Sequence, residues 1–171
     1  MQFLKKHFAN LLLVAIGAFA IYAKGPTIYN NFKTQKAPPP VPINIERLSG
    51  EVLSFPVLGE KKLVLFWMIN CGPCKLEMKR INEMVKQGQL NSGQVLAINF
   101  VDDKKQVVEY LKSEPFDFLM ALDTRGEVSY KFKVNSTPTI FLLNEDGSVE
   151  WATTGVSPTL NFRIKKFFNK S

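Results

Sequence analysis

The chain has 171 residues, of which 46% are hydrophobic and 22% charged, the composition of an ordinary globular protein at a length that makes one domain. Its formal charge of +7 comes from 22 Lys and Arg against 15 Asp and Glu. The basic residues are scattered, in short pairs such as Lys61-Lys62 and Lys104-Lys105, and form no stripe interleaved with aromatics, so no nucleic-acid partner is expected. Two cysteines and one histidine argue against both a disulfide-stapled scaffold and a four-ligand zinc site.

Residues 1–7 form a short basic start, with Lys5 and Lys6. Residues 8–23 follow as 16 uncharged positions in which only Asn10 is strongly polar. As a helix this stretch is ~24 Å long, short of a ~30 Å hydrocarbon core, with Lys5, Lys6 and Lys24 placed to snorkel at either end. It reads as a transmembrane anchor, with a cleaved signal core as the alternative, since Ala18-Phe19-Ala20 and Ile21-Tyr22-Ala23 offer small residues at a cleavage site. The lysines before it keep the start inside and direct the rest outward. Residues 24–42, ending in Ala37-Pro38-Pro39-Pro40-Val41-Pro42, form a Pro-rich tether that reaches up to ~60 Å when extended. Residues 43–171, about 130 positions, are enough to bury one core.

Within that domain Leu63 to Ile69 is a continuous apolar run of strand formers, the pattern of a buried central strand. Gly72-Pro73 interrupts it, and Leu76, Met78, Ile81, Met84 and Val85 then recur at helical spacing until Gly88, so strand passes directly into helix with Pro73 in the first turn. Residues 94–101 predict a second strand, 104–112 a polar helix, 118–122 a short strand and 126–132 a short helix. Thr139 to Leu143 and Val149 to Thr154 predict paired strands around the turn Asn144-Glu145-Asp146-Gly147, and an amphipathic helix closes the chain at 158–168. This order predicts an α/β fold, a central mixed β-sheet flanked by helices.

The two cysteines, Cys71 and Cys74, lie where the central strand becomes a helix. Unpaired N–H groups and the positive end of the helix dipole at that place favour a thiolate. Cys71 is therefore expected to be the exposed nucleophile, and Cys74, one turn further in and more buried, the resolving thiol that attacks the mixed disulfide. Three plainer readings compete. A zinc site lacks its second pair of ligands, since the one histidine, His7, lies beside the membrane segment. A structural disulfide across two residues removes little unfolded-chain entropy. Inert core thiols do not account for Gly72-Pro73 between them.

Phe66-Trp67-x-x-x-Cys71-Gly72-Pro73-Cys74-Lys75 resembles the active site of the thioredoxin superfamily. The apolar start, the tether, Glu77, residues 118–134 and Thr137-Pro138-Thr139-Ile140-Phe141 with Asp146-Gly147 resemble its membrane-anchored TlpA/ResA branch, over a stretch from about 45 to 168. The resemblance implies a thioredoxin-like fold and a redox-active Cys71–Cys74 disulfide, with no other cofactor and no metal. It implies that Pro138 is a cis-proline facing the cysteines and that the Thr137 backbone offers strand-like bonds to a client. Gly72, Pro73 and Trp67 then support the site, and Glu77 is a candidate for proton handling at the buried cysteine, a task suited to a desolvated carboxyl with a raised pKa. A carboxylate at Glu77 also has a plainer reading as compensation of the helix dipole.

Two positions depart from the pattern: Leu65 stands where thioredoxins carry a buried acid, and Asn70 where the branch usually has tryptophan. The expected function is disulfide exchange with exported client proteins, as a reductase supplied by a membrane thiol donor, an apocytochrome or another envelope protein being the client class the branch implies. The protein is expected to be a monomer held by a single span in a bacterial inner membrane, its N-terminus cytoplasmic and its catalytic domain periplasmic or otherwise extracytoplasmic. The alternatives are a peroxiredoxin-like peroxidase, which lacks its Thr/Ser-containing loop between Met68 and Pro73, and a tethered interaction module without redox turnover.

Overall fold

The computed structural model describes residues 14–16, 18–19 and 42–169. The first two groups are helical, leave Val14, Ile16 and Phe19 exposed, and belong to a unit separate from the rest. The basic start at 1–7, most of the expected anchor at 8–23 and nearly all of the tether lie outside the described residues. Among the described residues no helix is long and apolar enough to cross a membrane.

The second unit carries the expected thioredoxin-like α/β fold. Its elements are β1 (Ile43–Arg47), β2 (Val52–Phe55), β3 (Lys62–Trp67), α1 (Gly72–Lys86), β4 (Val95–Asn99), α2 (Lys104–Ser113), β5 (Leu119–Leu122), α3 (Glu127–Lys131), β6 (Thr139–Leu143), β7 (Val149–Thr154) and α4 (Leu160–Phe168). The strands form one mixed sheet in the order β2-β1-β5-β4-β3-β6-β7. β3 runs parallel to β4 and antiparallel to β6, so it lies inside the sheet, next to the middle strand β4, with both edges paired, as its unbroken burial demands. The patterning of residues 43–55 does not signal β1 and β2. They pair with each other, and β1 also joins the edge of β5 at Glu46–Leu122 and Arg47–Ala121.

The central strand begins one residue earlier and ends two earlier than its apolar run. Lys62 is buried within β3, where its ammonium pairs with Glu60 at 2.7 Å and donates to the Gly93 carbonyl. Met68 and Ile69, though apolar, belong to the loop that carries the chain to the cysteines.

Because side chains alternate across a strand, β3 feeds two cores. Leu63, Leu65 and Trp67 face a cluster with Met78, Ile81 and Met84 of α1, Val107 of α2 and Leu160, Ile164 and Phe167 of α4. Val64 and Phe66 face the other, with Phe55, Ile98, Val128, Phe132 and Phe141. Each such side chain, fully buried, contributes on the order of 1.5–3 kcal/mol against exposure, so α1 is fixed against the sheet over most of its length. Both cysteines belong to the first cluster. The cysteine pair is thus anchored on the packed face of the sheet while the loop before it reaches the surface.

Candidate functional site

Cys71 is the N-cap of α1, in extended conformation with φ −123° and ψ 95°, and its Sγ accepts the Cys74 N–H at 3.1 Å. Pro73 occupies the first turn, where a missing N–H leaves no bond unmade. Cys71 and Cys74 form a disulfide with Cα atoms 5.2 Å apart. Cys71, expected to be exposed, is largely buried at 6%, because Thr137 and the start of α1 close around it, whereas Cys74 has no exposed surface. Gly72 and Pro73 between them are open to solvent. An incoming sulfur therefore meets Cys71 first.

The Thr137–Pro138 peptide bond is cis, and so is Phe55–Pro56, which nothing in the sequence singled out. Thr137 Oγ1 donates to Cys71 Sγ at 3.5 Å, which brings the segment before β6 against the cysteine pair across 66 residues of sequence. Pro138 is buried, and its carbonyl accepts the Gly155 N–H at 2.8 Å. In the reduced state, the Cys74 N–H, the Thr137 hydroxyl and the end of the helix dipole all favour negative charge on Cys71 Sγ.

Trp67 is 1% exposed, belongs to the cluster that holds both cysteines and packs on Tyr110, with ring centroids 5.7 Å apart. Its Nε1 is buried and finds no hydrogen-bond partner among the described residues. Burial pushes the Tyr110 phenol above its ordinary pKa, against the opposing charge of Lys75. Leu65 lies in the same cluster, fully buried, so the position holds apolar packing where thioredoxins have an acid. Asn70 is exposed at the mouth of a cavity of about 460 Å³, also lined by Ile69, Asp102 and Tyr110. Asp102, which the sequence reading missed, shapes that loop: its Oδ2 accepts the Ile69 N–H and the Asn99 amide, each at 2.8 Å. The signal available was an Asn–Asp pair three residues apart after a strand, a common turn device.

Glu77 is the sixth residue of α1, past the first turn, so dipole compensation does not account for it. It has no exposed surface. Its Oε1 accepts the Ser157 N–H at 2.7 Å and its Oε2 pairs with Arg80 Nη1 at 2.8 Å. Glu77 lies three residues after Cys74, on the neighbouring position of the same helical face. Arg80 and Ser157 are members of the site that the sequence reading missed. An arginine three residues after a glutamate is a readable helical pair, but the Ser157 contact, 80 residues away, has no local signal.

Comparison with known proteins agrees with this geometry. A family model described as Redoxin matches residues 50–166. The sporulation thiol-disulfide oxidoreductase A of Bacillus subtilis is 29% identical over 161 residues, spanning 92% of this chain and 96% of that protein. The thiol-disulfide oxidoreductase ResA of Geobacillus thermodenitrificans is 28% identical over 160 residues, 89% of this chain and 91% of its own length. Among solved structures, StoA from Bacillus subtilis superposes with a TM-score of 0.64 at 28% identity, covering 76% of this chain and 98% of that one.

Proposed function

This chain belongs to the redoxin family, in its TlpA/ResA-like branch, and is a thiol–disulfide oxidoreductase; on that footing we propose that it is a membrane-anchored reductase of exported proteins. The observation that carries the exchange chemistry is the Cys71–Cys74 disulfide at the N-terminus of α1 with the Thr137 hydroxyl 3.5 Å from Cys71 Sγ.

In the reduced enzyme the Cys71 thiolate attacks one sulfur of a client disulfide. A Cys71–client disulfide forms, the client bond breaks, and the released client sulfur takes up a proton. Cys74, having lost its proton toward Glu77 or water, then attacks Cys71 Sγ. The Cys71–Cys74 bond forms, the second client sulfur leaves and is protonated, and the client has gained two electrons. A membrane dithiol donor repeats the exchange in the other sense and restores the reduced pair. Gly72-Pro73 between the cysteines, the pair that reducing thioredoxins carry, supports the reducing direction. The potential follows how strongly the Cys71 thiolate is stabilised, about 30 mV for each ~1.4 kcal/mol. Thr137 and Pro138 dock the client backbone, and Gly72, Pro73 and Trp67 hold the pair in place. The uncharged segment at 8–23, the lysines before it and the tether at 24–42 support a single span with the catalytic domain outside the cytoplasm.

The test is trapping in the native cell with the full chain carrying Cys74→Ala. Without the resolving thiol, exported proteins accumulate as reductant-sensitive adducts of Cys71 in the membrane fraction. Adducts confined to cytoplasmic proteins refute the localisation. No adduct, with Cys71 still open to alkylation, leaves a tethered interaction module as the reading.

A further inference from the structure

The buried carboxylate of Glu77 is held from two sides, and the geometry points to Arg80 as a positioning residue for the resolving step at Cys74. Arg80 Nη1 pairs with Glu77 Oε2 at 2.8 Å and donates to the Ser157 carbonyl at 3.0 Å, while Nη2 reaches Asn161 Oδ1 of α4 at 3.2 Å. The Ser157 N–H closes the ring on Glu77 Oε1 at 2.7 Å. One guanidinium therefore spans three acceptors on two segments, a task for its planar fork that a point charge does not perform. Arg80 itself is only partly buried, with 27% of its side chain exposed, so it meets Glu77 from the solvent side.

The loop it pins has a second attachment. Gly155, two residues before Ser157, donates its N–H to the carbonyl of Pro138 at 2.8 Å and has the positive φ of 79° that lets the chain turn there. The stretch from 155 to 157 thus joins the cis-proline segment to the carboxylate three residues after Cys74. Arg80 fixes the end of that link at Glu77. The inference rests on the proposed proton-handling role of Glu77 and adds that the carboxylate works only while Arg80 orients it.

The test is a double-mutant cycle read step by step. Reduced wild type, Glu77→Gln, Arg80→Gln and the double variant are mixed with a disulfide-linked model peptide, quenched in acid and weighed, so that formation and decay of the Cys71–peptide disulfide are followed separately. Decay slows on the order of 100-fold in Glu77→Gln, the loss of one proton-transfer group, and on the order of tenfold in Arg80→Gln, where the group is present but misplaced. Formation is unchanged in both. The double variant, which leaves no buried unpaired charge, decays like Glu77→Gln alone. Arg80→Gln decaying like wild type, losses that multiply in the double variant, or equal slowing of both steps overturns the role of Arg80 while Glu77 keeps its own. Decay unchanged in Glu77→Gln overturns both. If Arg80→Gln does not fold, Arg80→Lys, which keeps the charge but cannot span three acceptors, is judged by the same outcomes.

Discussion

Thr137 Oγ1 donates a hydrogen bond to Cys71 Sγ across 3.5 Å, so the residue before the cis-proline touches the proposed nucleophile directly. A donor to sulfur favours the thiolate over the thiol. Replacing Thr137 by Val keeps the branched shape and removes the hydroxyl. The Cys71 pKa in the reduced protein should then rise, and the pH profile of its alkylation should move to higher pH. The Cys74 N–H and the helix dipole remain, so the shift is partial, about one unit or less for loss of a single neutral donor.

Gly147 occupies a turn that admits no side chain. Its φ is +80°, and a Cβ there would come within 2.8 Å of Pro56 Cγ and 3.3 Å of Leu58 Cδ2. Gly147→Ala is expected to destabilise the domain by about 1–3 kcal/mol, read as a lower urea midpoint with an unchanged slope. The exchange rate of the remaining folded protein should be untouched, because the turn joins β6 to β7 at the end away from Thr139.

Lys75, next to Cys74 in sequence, pairs with Glu114 at the end of α2, and Lys79 adds a second contact at 3.3 Å. The hydrogen bond from Lys75 holds the Glu114 carboxyl below its ordinary range, and the same bond raises the Lys75 ammonium. A lowered carboxyl contributes stability that is present above its unfolded pKa and lost as pH falls through its folded one. A raised ammonium contributes stability that is lost only as pH climbs through its own folded value. Glu114→Gln should therefore be less stable than wild type at neutral pH, with the difference vanishing in acid. Both groups are solvent-accessible, so the effect is small and shrinks with added salt. Urea midpoints across the acid range at two salt concentrations check it.

The junction at Cys71 was readable because two periodicities meet there. A run apolar at every position demands a strand buried on both faces, and Leu76 to Val85 recurs at the spacing of a helix. β1 and β2 were not readable for the opposite reason. Ile43-Asn44-Ile45-Glu46-Arg47 alternates for only five residues, Val52 to Phe55 spans four without strict alternation, and the two strands pair with each other and, through β1, with distant β5. The site divides in the same way. Cys71 and Cys74, at the N-cap and in the first turn of α1, declare themselves by spacing, whereas Glu77 further along the helix is singled out by the resemblance to the TlpA/ResA branch. Ser157 and Asp102 act through one N–H and one carboxylate brought in by the tertiary fold, and Arg80 reads as an ordinary surface cation until its second and third acceptors are placed.

The division of labour between Cys71, which attacks, and Cys74, which resolves, is read out by a single-turnover reaction of the reduced protein with a disulfide-linked peptide, followed by mass. Wild type should reduce one disulfide per molecule and end as the Cys71–Cys74 disulfide. Cys74→Ser should stop at a one-to-one mixed disulfide through Cys71, and Cys71→Ser should do neither. Turnover retained in Cys71→Ser, or no adduct in Cys74→Ser, would contradict the assignment of the two thiols.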